Sequence, residues 1–138
     1  MLNLSFSDFL ENEILDQIFG ASAYSAPATL YFGLATAEIT DSTTGSTVTE
    51  PEGGSYARKS MTNNKTTWTT ASGGSVENDV DIEFVEATAS WGTVTYMFIA
   101  DASSGGNILA WGQLTAPKAI GTGDNAKFAA GDLVITLD

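Results

Sequence analysis

The stretch SWGTVTYMFIADASSGGNILAWGQL, residues 90–114, decides the fold. Two apolar segments, GTVTYMFIAD and NILAWGQL, flank ASSGG, a glycine-bearing connection of hairpin length. The stretch has no histidine, cysteine or lysine, and its one formal charge, Asp101, stands at the edge of the turn. An apolar hairpin without a catalytic side chain points to a protein whose work is to be a surface.

The same β pattern extends outward from the hairpin. ATLYFGLAT (28–36) puts Leu30, Phe32 and Leu34 on one face and Tyr31 on the other. SVENDVDIEFVEA (75–87) sets Val76, Val80, Ile82 and Phe84 against Glu77, Asp79, Asp81 and Glu83, which predicts one strand with a dry and a wet face. GDLVITLD (131–138) alternates through Leu133, Ile135 and Leu137. Polar, turn-rich stretches separate these segments: TDSTTGSTVTEPEGGS, TTASGGS and IGTGDN. Short strands at this spacing predict a mainly β chain, an antiparallel β-sandwich or small barrel.

LSFSDFLENEILDQIFG (4–20) is the one helical pattern. Ser5 and Asp8 resemble a capping box, acids stand early, and Gly20 marks the C-terminal stop. Phe6, Leu10, Ile14 and Ile18 recur at i+4 and line one face, with Leu15 and Phe19 beside it. That is more apolar surface than one small sheet needs, so part of the helix is expected to contact a neighbouring subunit. The chain is read as a single domain, 1–138, with the helix and its connection in 1–26 and the β-sandwich in 27–138.

Length and composition agree with a single domain. A chain of 138 residues buries roughly 68–70% of its unfolded surface, enough for its own core. No apolar run approaches the roughly 18 residues of a membrane span. The N-terminus has no basic segment ahead of an apolar core, so no signal peptide is expected. Seventeen acids against five bases give a net charge of −12, which repels phosphate backbones and argues against nucleic-acid binding. The absence of cysteine removes disulfides and thiolate chemistry, and leaves the compartment open. The absence of histidine removes the commonest general base and zinc ligand. No enzyme, metal or cofactor is expected.

The residues that resemble sites have simpler readings. The acidic row Glu77, Asp79, Asp81 and Glu83 is spaced by about 7 Å along a strand, whereas calcium gathers 6–8 oxygens round one point; it reads as a solvated face. DASSGGN (101–107) and GTGDN (121–125) lack the spacing of a calcium loop and read as turns. NKT (64–66) matches a glycosylation sequon by chance. Arg58 and Lys59, in EPEGGSYARKS, are expected to pair with carboxylates. Trp68, Trp91 and Trp111 suit a sugar-stacking platform or, as preferred here, a core or subunit interface.

In order along the chain, FSDFLENEILDQIFG, ATLYFGLATA, GGSYAR, SWGTVTYMFIADASSGGNILAWGQLTAPKAI and FAAGDLVITLD resemble a group of short bacteriophage and prophage virion proteins. Its members are commonly labelled tail fiber protein, and similar small β-proteins serve as capsid decoration (cement) proteins. Members often have THFGIFDA where this chain has TYMFIADA (95–102), so it lacks a histidine often found there. The resemblance implies an accessory virion structural protein, present in the virion after assembly in the host cytoplasm. The expectation drawn from it is a decoration protein that stabilises the head through contacts with the major capsid protein or another virion protein. Such a protein works as a homo-oligomer, with a trimer as first choice. The alternatives are a tail-fibre or tail-tip component contacting the host and, from another class, a carbohydrate-binding module. The expected interface comprises Leu10, Ile14, Leu15, Ile18, Phe19, Trp91 and Trp111.

Overall fold

Local alternation and turn chemistry produce short elements whose partners lie far apart in sequence. The computed structural model describes residues 1–137; Asp138, the end of the last expected strand, lies outside them. The elements are β1 (Leu2–Phe6), α1 (Asp8–Phe19), β2 (Thr29–Ala35), β3 (Lys59–Thr62), β4 (Ser75–Glu77), β5 (Ile82–Glu83), β6 (Gly92–Ala100), β7 (Ile108–Ile120), β8 (Lys127–Phe128) and β9 (Leu133–Thr136). Seven strands form one curled sheet in the order β3-β2-β6-β7-β1-β9-β4, and β5 pairs with β8 in a small ribbon. The chain is mainly β with an N-terminal helix, and its architecture is sandwich- or barrel-like.

The hairpin is β6 and β7, paired antiparallel with Phe98 opposite Trp111 and Ile99 opposite Ala110. Its apolar character follows from burial on both faces. Met97, Ile99 and Leu109 join the main core with Phe32, Leu34, Phe84 and Trp91. Phe98, Ala100 and Ile108 form a second core with Ala35 and Ile39 on the other side of the sheet. The domain thus uses the hairpin's apolar side chains internally. Gly33 is required where the cores meet, because a Cβ there would run into the Phe98 ring. β7 continues past the expected NILAWGQL to Ile120, and the register shift between Val94 and Tyr96 accommodates the extra residues around Pro117.

Three local expectations are corrected. A strand precedes the helix: Leu2 and Leu4 are buried, and β1 runs antiparallel to β7 and parallel to β9. Phe6 ends that strand instead of starting the helical face, and segment 1–26 supplies a strand to the same sheet as the rest of the chain. The helix cap is Ser7, whose hydroxyl oxygen accepts from the Leu10 N–H, while Ser5 sits in β1. The strand expected over 75–87 is two, β4 on β9 and β5 on β8. Asn78 makes the break: its buried amide donates to the carbonyls of Val80 (2.9 Å) and Ala129 (2.8 Å) and accepts from Leu133 N–H (2.9 Å). The alternation survives the break, since Ile82 and Phe84 are buried while Asp79, Asp81 and Glu83 are exposed; Val76 and Val80 are half-buried.

Candidate interaction surface

Helix α1 is anchored at its start and bare at its end. Ser7 is buried, and its hydroxyl donates to the Ile108 carbonyl while capping the helix. Asp8 and Glu11 occupy the first turn, where the helix dipole favours anions, and no base occupies the last turn. Phe9 and Leu10 pack against the main core, with the Phe9 ring edge-on to Tyr24 at 6.3 Å. Beyond them the described residues leave the helix increasingly bare: Ile14 is 38% exposed, Leu15 54%, Ile18 65% and Phe19 84%. Burying a wholly exposed side chain of this size is worth roughly 1.5–3 kcal/mol, a figure that Phe19 approaches and the half-covered Ile14 does not. Together they form one unpartnered apolar face.

Beside this face lies a groove of about 500 Å³. Leu10 and Ile14 of α1 form one side of its lining, Leu30, Ile99 and Leu109 come from the sheet, and Trp68 and Ala71 from the segment before β4. Among the described residues its lining contains no carboxylate, and Lys65 is its one charged residue. Tyr24 also lines it. Partial burial, with the charges of Asp101 and Glu13, raises that phenol's pKa, so it stays neutral.

Of the seven residues expected at an interface, the structure brings together the five on α1 and separates the two tryptophans. Trp91 is 2% exposed; its indole N–H donates to the Gly54 carbonyl at 2.8 Å, and its ring stands edge-on to Tyr56. Trp111 packs on the opposite face of the sheet and donates to Asp41 at 3.1 Å. Trp68 is buried and stacked on Phe32. The three indoles therefore share no exposed face on which a sugar would stack.

The acidic candidates are held by their own loops. Asp101 accepts from the backbone and side-chain N–H groups of Asn107 at 2.8 and 2.9 Å. Asp124 accepts from Gly121 N–H at 2.8 Å. Asp81 accepts from Ala130 N–H at 3.0 Å and pairs with Lys127 at 3.4 Å; that backbone bond first, then the lysine, hold its carboxyl below the usual range. Asn64 of the sequon accepts from Thr66 and Thr67 within a turn. Among the described residues no three His, Cys, Asp or Glu side chains gather as a metal site would require. Among them, too, no helix is long and apolar enough to cross a membrane.

Arg58 does pair with a carboxylate, Glu50, at 2.8 Å, and it does much more. Its guanidinium also donates to the carbonyls of Gly45, Ala102 and Gly105 and lies over the Phe98 ring at 5.0 Å. Tyr56 donates to the same Glu50 at 2.7 Å, and burial raises its pKa well above the ordinary tyrosine value. Only the excess of acids over bases hinted at the pairing. The three carbonyl contacts carry no signal in the sequence, since they depend on two loops meeting.

A family model described as Podophage GP4 fiber I protein gp80 matches residues 5–136, which takes in α1, the groove and both faces of the sheet. No curated protein matches the chain.

Proposed function

We propose that this chain, which belongs to the podophage GP4 fiber I protein gp80 family and is a phage virion structural protein, serves as a tail-fibre component. The family match is the observation that carries the reading. It favours the fibre over the decoration protein expected above, because the family is described by a fibre and not by a head protein. The exposed end of α1, with Ile14, Leu15, Ile18 and Phe19, is the proposed contact with another virion subunit, while Leu10 packs on the chain's own core. Exposed apolar patches of this kind mark protein contacts. No enzymatic activity is proposed for a chain without histidine or cysteine, whose acidic side chains at Asp81, Asp101 and Asp124 are engaged by their own loops. Assembly takes place in the host cytoplasm, and the loops at the sheet ends are available to the host surface.

Immunogold labelling of intact particles tests the assignment. Gold confined to the tail is the expected result, with the protein far below the major capsid protein on a stained gel. Gold spread over the head would replace the fibre with a decoration protein.

A further inference from the structure

We propose that the groove beside α1 receives the exposed α1 end, led by Phe19, of a second copy of this chain. The inference rests on the reading of α1 as a subunit contact and names the partner and its seat.

Charge complementarity selects that occupant. The chain carries 17 acids and five bases, yet among the described residues the groove is lined by no acid and by one base, Lys65. An apolar segment flanked by carboxylates fits such a site, and the chain carries one. On α1 the exposed Ile14, Leu15, Ile18 and Phe19 are accompanied by Glu11, Glu13 and Asp16, with no base in the last turn. The helix C-terminus adds a partial negative charge that an ammonium group complements.

Continuity makes the contact reciprocal. Ile14 belongs to the exposed helical face and also lines the groove. Knob and groove are thus neighbours on one surface, and a two-fold placement seats each copy's Phe19 in the other's groove at once. At about 500 Å³ the groove lies within the range that holds a drug-sized ligand, so it has room for a phenyl ring with its neighbours.

The test is light scattering after size exclusion, over a concentration series, on the wild type, Phe19→Glu and Ala71→Trp. Both altered positions are exposed, and circular dichroism checks that each variant is folded. The wild type is expected to self-associate, and each variant alone to associate on the order of a hundredfold to ten-thousandfold more weakly, because a two-fold contact loses the buried side chain twice. An equimolar mixture of the two should form a one-to-one complex, since Phe19→Glu keeps the groove and Ala71→Trp keeps the knob. Lys65→Glu, also at an exposed site, should weaken association without filling the groove. A wild type that stays monomeric throughout overturns the proposal. So does a Phe19→Glu variant that associates like the wild type, or a mixture that forms no complex. None of these outcomes changes where gold falls on the particle, so the fibre assignment stands or falls separately.

Discussion

Arg58 is the side chain on which two of the loops converge. It is buried, forks onto Glu50, and holds the carbonyls of Gly45, Ala102 and Gly105, so the long loop after β2 and the hairpin turn are tied to one guanidinium. Removing one partner of a buried pair leaves an uncompensated charge. Arg58→Ala is expected to cost about 3–5 kcal/mol in urea unfolding. Arg58→Lys should recover little of that, because an ammonium group cannot reproduce the planar fork. Asp81 is the opposite case, exposed and held by Ala130 N–H and Lys127. Its folded pKa is lowered, so its contribution is present above the unfolded value of about 3.9 and is lost as pH falls through the folded value. Asp81→Asn should therefore melt slightly below the wild type at neutral pH, and the two should converge in acid. A gap that persists or widens in acid would mean that the carboxylate is not the source of the difference.

Helix α1 shows how an element without a buried residue is kept in place. At 12 residues it is no longer than the ~12–15 at which an isolated helix becomes marginal in water, so it depends on its cap and first turn. Ser7 supplies both the cap and a bond to Ile108, the first residue of β7. Ser7→Ala should cost about 0.5–2 kcal/mol and speed amide exchange along α1. Ser5, exposed in β1, should tolerate alanine within about 0.5 kcal/mol. Equal effects from the two changes would contradict the cap seen here. β1 explains why the cap lies two residues later than the sequence pattern suggested. Leu2 and Leu4 are drawn into the sheet opposite Leu133 and Ile135, so the chain stays extended through Phe6.

For the molecule as a whole, part of the surplus of negative charge lies in the turns, where Asp101 and Asp124 accept hydrogen bonds from neighbouring backbone N–H groups. Chelator should accordingly leave the melting temperature unchanged. A fall of several degrees on adding EDTA, restored by calcium, would show that one of these turns is an ion site. The same surplus keeps the folded subunits apart until a contact overrides it. Any assembly through α1 therefore has to combine apolar burial with relief of that repulsion, and the groove is apolar with Lys65 in its lining.

Periodicity within a few residues was enough to read a mainly β chain, the β6–β7 hairpin, the helix ending at Gly20 and the dry face carrying Ile82 and Phe84. Each of these follows from alternation, turn chemistry or i+4 spacing between near neighbours. Likewise Ile14, Leu15, Ile18 and Phe19 were legible as apolar helical surface, because a helical face can be counted without knowing what it packs on, whereas only the structure shows that Leu10 packs on the core. Tertiary structure alone decided the rest. β1 is a strand because β7 and β9, more than a hundred residues away, pair with it on both sides. Asn78 breaks an unbroken alternation because Ala129 and Leu133 come round to meet its amide. Trp91 and Trp111, alike in sequence as large amphipathic aromatics, are divided between two cores on opposite faces of one sheet. A residue's own neighbours set its conformational preference, but which atoms cover it depends on chain closure over long distances, and no local pattern records that.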